Sequence, residues 1–203
     1  MAQPTNTFDT YDSVGEREDL SDVIYSISPT DTPFLSSAAK TKATAVLHEW
    51  QTDALAAAVT TNAVIEGDEA TLDASTATTR LSNSCQIMDK TVVITGTQES
   101  VDKAGRASEL AYQIAKKAKE LKRDMEANLT GSIAEVTGSA TAARKMGTLG
   151  AWVITNDDKA SDGTTGAGIG NTKRTDGTAR AFTESSLKTV IKSVWNAGGD
   201  PSM

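Results

Sequence analysis

Residues 51–79 constrain the fold more than any other stretch of this 203-residue chain. They are rich in Ala, Thr, Asp and Asn, with Leu55, Val59, Val64, Ile65 and Leu72 as the larger apolar side chains. Loops longer than about 12 to 15 residues with no structure of their own are uncommon inside compact domains and tend to be functional or disordered. Folded back as a two-stranded arm, the excursion would extend roughly 45 Å at about 3.3 Å per residue. So small a domain cannot bury such a projection, which must lie on another molecule or stand in solvent.

The rest of the chain is short of core material. Leu, Ile, Val and Phe total 36 residues, whereas Ala and Thr supply 29 each, and the hydrophobic fraction of 38% lies below the globular norm of roughly 45 to 50%. Charge is unevenly spread. Residues 1–80 carry 13 acidic and 4 basic side chains, and residues 81–203 carry 14 and 16. Complementary potentials fix register and speed encounter, so an acidic arm of one copy lying on the more basic body of another accounts for the asymmetry; plain solubilisation of exposed segments accounts for it equally.

The element pattern is α+β. Residues 1–15 read as an arm. Over 16–27, Leu20, Val23, Ile24 and Ile27 recur at helical spacing, with Glu16, Glu18 and Asp19 in the first turn. Pro29 stops that helix, and Asp31-Thr32-Pro33 reads as a cap followed by proline at the first helical position, anchored by Phe34 and Leu35. Strand candidates are 43–50, with Val46, His48 and Trp50 on one face, then 81–95, and a short one over 151–155.

The strongest single pattern predicts one helix over 97–130. Thr95 and Gln98 have capping-box spacing, and Leu110, Ile114, Ala118, Leu121, Met125 and Leu129 form a stripe beside Ala104, Ala107, Ala111 and Ala115. Gly131 is the expected C-cap. Such a helix is roughly 50 Å long, a structural spine. Residues 156–180 read as a surface loop. Thr183 then opens a helix with Leu187, Val190, Ile191, Val194 and Trp195 on one face, closed by Gly198-Gly199 and Pro201.

Candidate chemical sites each have a plainer reading. No catalytic, cofactor-binding or metal-ligating residue is assigned. His48 is the lone histidine and Cys85 the lone cysteine, which leaves no His pair, disulfide or thiolate cluster. In the run Gly163-Thr-Thr-Gly166-Ala-Gly168-Ile-Gly170-Asn-Thr-Lys173, Asn171 and Thr172 separate the last glycine from the lysine that a phosphate loop requires directly after it. Glu66, Asp68 and Glu69 bracket Gly67 at the tip of the excursion, where water keeps them ionised. The cluster Lys116, Lys117, Lys119, Lys122 and Arg123 is interleaved with Glu120, Asp124 and Glu126, a solvated or subunit-facing surface.

Whole classes fall away on composition. A pI near 4.8 argues against a nucleic-acid-binding domain, whose affinity rests on clustered Lys and Arg. No run approaches the roughly 18 apolar residues of a membrane span, and the first residues lack a signal-peptide pattern, so the protein is expected to stay where it is synthesised.

Several stretches carry a specific resemblance. They are Tyr11-Asp-Ser-Val-Gly-Glu-Arg-Glu-Asp-Leu-Ser-Asp22, Ile27-Ser-Pro-Thr-Asp-Thr-Pro-Phe-Leu-Ser36, His48-Glu-Trp-Gln-Thr-Asp-Ala-Leu55, Asn62-Ala-Val-Ile-Glu-Gly67, Gly96-Thr-Gln-Glu99, Lys122-Arg-Asp-Met-Glu126 and Trp195-Asn-Ala-Gly-Gly-Asp-Pro201. With the order of elements, they resemble the major head proteins typified by phage SU10, which have the HK97-type capsid fold.

The resemblance implies an N-terminal arm over 1–42, an extended β-hairpin loop (E-loop) over 43–95 reaching across a neighbour, a peripheral domain with the spine helix over 96–155, and the start of an axial domain over 156–203, to be completed by residues beyond 203. It also implies a self-assembling head subunit, forming hexamers and pentamers in the virion, made in the host cytoplasm, with scaffold, portal and decoration proteins as possible partners. DNA would be enclosed without sequence-specific contact, and no membrane would be involved. Phe34, Leu35, Trp50, Leu55, Glu66 and Asp68 are the expected subunit contacts. A tail-tube or decoration protein, or a nucleotide-binding enzyme using Gly163 to Gly170, are the rival readings.

Overall fold

The computed structural model describes residues 7, 10, 13, 14, 19, 21–70 and 72–201. Seven elements occur among them: helix α1 (Pro33–Ser37), strands β1 (Leu47–Thr52) and β2 (Thr79–Ser84), and helices α2 (Gly96–Ser100), α3 (Glu109–Thr130), α4 (Leu149–Trp152) and α5 (Glu184–Asn196). The chain divides into two compact units, one of Met1–Thr30 with Lys90–Glu120 and one of Asp31–Asp89 with Leu121–Met203. Helix and strand are mixed, as the sequence pattern implies.

Five expected elements differ. The helix expected over 16–27 is absent across 21–27, and Glu16, Glu18 and Leu20 lie outside the described residues. Thr95 does cap a helix, accepting from the Gln98 N–H, but that helix ends at Ser100 and α3 starts afresh at Glu109. The Ala104 and Ala107 spacing fits a continuous helix, yet Gly105 takes φ +74 and donates its N–H to Asp22 Oδ1 at 3.2 Å. A left-handed glycine ends a helix, and a tertiary partner for its N–H holds it there. The 22 residues of α3 span about 33 Å, well short of the expected spine.

The other corrections concern strands. Residues 151–155 are not a strand; Leu149–Trp152 is a single helical turn. The hairpin is antiparallel with Leu47 opposite Ser84 and Thr52 opposite Thr79, so the first strand starts and ends later than 43–50, and the second starts two residues before 81 and stops at Ser84, well short of 95. The described residues of 53–78 carry no strand pairing, and the long two-stranded arm is absent among them.

The second unit is held by backbone hydrogen bonds more than by apolar burial. Ala151 is the apolar residue fully enclosed among those described, beside buried Ser84 and Thr148. Thr148 Oγ1 donates to Gly131 O at 2.8 Å and accepts from Ile133 N at 2.8 Å, so its hydroxyl is taken from α4, whose N-cap it occupies. Gly150 N reaches Gly131 O, Arg174 N reaches Gly150 O and Gly168 N reaches Ala151 O, at 3.0 to 3.2 Å. The Gly-rich stretch read as a surface loop is thus folded onto α4. A Cβ on Gly166 would come within 2.6 Å of Ala151 O, and one on Gly150 within 2.7 Å of Ser132 Cα. Those glycines are required by close backbone approach.

Helix α5 follows its sequence pattern. Thr183 Oγ1 accepts from Ser186 N at 3.2 Å, and at the far end Gly198 takes φ +85 while Gly199 N returns to Val194 O. Ser193 Oγ donates to Oδ1 of Asn156, a residue held at φ +56, which ties α5 to the start of the Gly-rich stretch. Asp158 beneath it is held below the ordinary carboxylate value, first by Arg180 and then by Ser186.

Candidate functional site

Phe34 and Leu35 sit in the single turn of α1, where Pro33 occupies the first position and fixes φ for the turn. Thr32, the expected cap, makes no side-chain capping bond. Its place is taken by Glu126 of α3, whose Oε1 accepts from Phe34 N at 2.9 Å and whose Oε2 accepts from Leu35 N at 2.7 Å. One carboxylate thus satisfies two orphan donors of a helix start, the geometry an N-terminal dipole favours. Both side chains are half-buried.

Trp50 lies opposite Leu81 in the hairpin and is half-buried. Its ring centre is 6.0 Å from that of His48 and 5.1 Å from that of Trp152, with interplanar angles of 33° and 44°. Trp152 donates Nε1–H to Gly147 O at 3.1 Å. Gly170, at φ +78, lies so close that a Cβ there would be 2.8 Å from Trp152 Cζ2. Hence His48, Trp50 and Trp152 form an aromatic row seated on a glycine. Across the hairpin, Arg80 pairs with Glu49.

Leu55, Glu66 and Asp68 belong to the excursion, which is exposed at every described position from 51 to 80. Leu55 is fully exposed. Glu66 and Asp68 share one tight turn in which Asp68 N donates to Ile65 O at 3.1 Å, and Gly67 supplies φ +85 at the third position, as a type II turn demands. Asp68 Oδ1 also accepts from Glu69 N at 2.9 Å. The structure therefore pairs Phe34 with Leu35 and Glu66 with Asp68, and gives Trp50 an aromatic partner of its own chain. Trp152 and Glu126 escaped the sequence reading: the first sat in an expected strand, the second in a mixed-charge helix face.

Large apolar side chains stand at the surface elsewhere too. Ile27 is 96% exposed, Tyr25 and Phe182 are each 80% exposed, and Trp195 is 66% exposed. Among the described residues no group of three His, Cys, Asp or Glu side chains could hold a metal ion, and no helix is long and apolar enough to cross a membrane.

An α+β chain that turns its bulky side chains outward, on a hairpin excursion and on helix faces, has the surface of a subunit. Sequence comparison gives the particular kind: the model of the SU10 major capsid protein family matches residues 3–203, and the chain belongs to that family. It is also 40% identical over 126 residues to the major capsid protein of Escherichia phage Phieco32. That match covers 62% of this chain and 36% of the relative, so the matched stretch spans about a third of that protein's length.

Proposed function

We propose that the chain is a shell subunit that assembles with copies of itself into the icosahedral head of a tailed phage, enclosing its double-stranded DNA without sequence-specific contact. Membership of the SU10 major capsid protein family carries this reading. The name of the Escherichia phage Phieco32 relative points the same way. The outward apolar residues and the unpaired excursion supply surface for neighbours to cover.

In this reading the HK97-type divisions are an arm over 1–42, an extended loop over 43–95, a peripheral domain over 96–155 carrying α3 as its spine, and the start of an axial domain over 156–203. The role is structural. Each contact is weak, and a closed lattice adds many of them. Phe34, Leu35, Trp50, Leu55, Glu66 and Asp68 contact neighbours in hexamers and pentamers, and scaffold, portal and decoration proteins meet the shell from within, at one vertex and from outside. Negative-stain microscopy of the purified protein tests the proposal: closed shells or capsomers support it, while tubes or a dispersed monomer at all concentrations refute it.

A further inference from the structure

We infer that Met88, Met125 and Met146 form one modification site, a groove whose thioethers hydrogen peroxide converts together to sulfoxides, loosening α3 from the segments beside it. The inference concerns the single chain and does not rest on assembly.

The sequence has five methionines, of which Met1 and Met203 are the terminal residues. The other three are far apart in sequence, yet they line one groove of about 330 Å³ within the second compact unit. Met125 stands on α3 between Leu121 and Leu129, at the spacing of a single helix face. Met88 follows β2, and Met146 precedes α4. All three are half-buried, so each is packed and still partly open to a small solute.

The groove lies among the ties that hold the unit. Gln86, also in its lining, accepts from Met146 N through Oε1 at 3.2 Å. Gly147 N, next along, donates to Asn83 Oδ1 at 2.8 Å. On α3, Glu126 directly follows Met125 and caps α1 through Phe34 N and Leu35 N. Ala151 is the one apolar residue fully enclosed among those described, so a cluster of two leucines and three methionines supplies contact that is scarce elsewhere.

A thioether is apolar and adaptable, whereas its sulfoxide is polar and chiral. The sulfur lone pair attacks one oxygen of hydrogen peroxide, the O–O bond breaks, and the departing hydroxide takes the proton from the transferred oxygen. Sulfur gives up two electrons, and the peroxide is reduced to water. One sulfoxide in the groove draws water between its walls, which opens the remaining two thioethers to attack. Oxidation at the three sites is therefore coupled.

The test uses the full chain carrying Cys85→Ser, which removes its single thiol. After peroxide treatment, mass spectrometry is expected to find chains with three internal sulfoxides in excess of the product of the single-site fractions. The oxidised protein is expected to lose about tenfold or more in its folded-to-unfolded ratio at a fixed urea concentration, because polar oxygens then occupy an apolar groove. Amide exchange at Phe34, Leu35 and Gly147 should quicken with it. Enzymatic reduction of the sulfoxides should restore both measurements. The triple variant Met88→Leu, Met125→Leu and Met146→Leu, a volume-conserving change, should keep its ratio through the same treatment.

Oxidised protein with unaltered urea unfolding and amide exchange overturns the inference, as does an equal loss in the leucine variant, which would place the damage elsewhere. Sulfoxides that accumulate independently at the three sites overturn it as well. If the triple variant does not fold, Met125→Leu alone replaces it and is expected to slow oxidation of Met88 and Met146; unaltered rates at both overturn the inference.

Discussion

The Asn83 side chain and the Gly147 backbone, 64 residues apart, exchange two hydrogen bonds: Asn83 Nδ2 donates to Gly147 O at 2.9 Å, and Gly147 N donates to Asn83 Oδ1 at 2.8 Å. A side-chain amide here copies one rung of a β ladder and fastens the hairpin to the hub around α4. Gly147 is buried, and a Cβ on it would come within 2.7 Å of Gly170 O, so the approach depends on glycine as well.

Asn83→Asp keeps the shape and one acceptor but turns a donor into an oxygen facing the Gly147 carbonyl. Gly147 O keeps the Nε1–H of Trp152, so the change removes one of its two hydrogen bonds and sets two oxygens against each other, a loss of about 0.5 to 1.5 kcal/mol or more. The urea midpoint should fall accordingly, with faster hydrogen exchange at Gly147. A midpoint equal to wild type would show that the amide pair contributes nothing to holding the hairpin.

The break in the expected long helix is capped by a carboxylate, which makes it sensitive to pH. Glu99 Oε2 accepts from Glu109 N at 3.1 Å and Leu110 N at 3.2 Å, while Ser108 Oγ accepts from Ala111 N at 3.2 Å. Glu99 is held below its ordinary value of 4.5, first by the Ser108 hydroxyl, then by the Leu110 N–H, Lys103 and the Glu109 N–H, against a desolvation that opposes them. Glu109 is lowered in the same way, first by Gln113 and then by Arg106. A carboxylate with a depressed folded value contributes stability above its unfolded value and loses it as pH falls through the folded one. The first turn of α3 should therefore hold at pH 6 and fray below the usual carboxylate range, read as faster exchange at Glu109 and Leu110. In Glu99→Gln those amides should exchange faster at pH 6 already; equal exchange in both proteins would disprove the cap.

That same break marks where sequence patterning stops being informative. The stripe from Leu110 to Leu129 announces α3 correctly, and Thr183, the spacing of α5 and Gly198 announce its start and stop, because caps and periodicity are local signals. The β1–β2 hairpin was legible in part, from the alternation around His48 and Trp50, whereas the β-branched run Thr91–Thr95 forms no strand and the register was not readable. What ends the expected helix is a contact between Gly105 and Asp22, and what caps α1 is Glu126, both distant in sequence. Likewise the glycines from 163 to 170 look alike in a sequence whether they cradle a ligand, line a loop or pack against α4. Of the expected contact residues, the Gly67 turn was readable from its composition, whereas the row of His48, Trp50 and Trp152 needed the fold.

Two glycines with the same backbone sign should respond differently to substitution. Gly170 and Gly67 both have positive φ, at +78 and +85, but a Cβ on Gly170 meets the Trp152 ring at 2.8 Å while one on Gly67 meets nothing within 4 Å. Gly67→Ala should cost about 1 kcal/mol of local turn preference and leave global unfolding alone. Gly170→Ala adds a steric clash beneath the aromatic row and should lower the unfolding free energy by about 2 kcal/mol or more, with a lower midpoint, while altering tryptophan fluorescence. Equal midpoints for the two would contradict the packed reading of the Gly-rich stretch.

Trp50 separates packing within the chain from contact between chains. Its ring lies near those of His48 and Trp152 and is half-buried, so part of its surface remains for a neighbour. Aromatic residues that bury late dominate interface energetics. Trp50→Ala removes an aromatic pair worth about 0.5 to 1.5 kcal/mol beyond its area, which weakens the hairpin hub without abolishing it. If Trp50 is also a subunit contact, particle yield should drop several-fold more than the loss of stability predicts, and Trp152→Ala, which removes the same pair together with the bond to Gly147 O, should cost at least as much stability but less yield. The excursion gives the companion measurement. Ordering its backbone costs about 1 to 2 kcal/mol per residue, and the described residues of 53–78 have no strand partner to offset that. Their amides should exchange freely in the unassembled subunit and become protected in the particle; equal protection in both states would mean that assembly does not order the excursion.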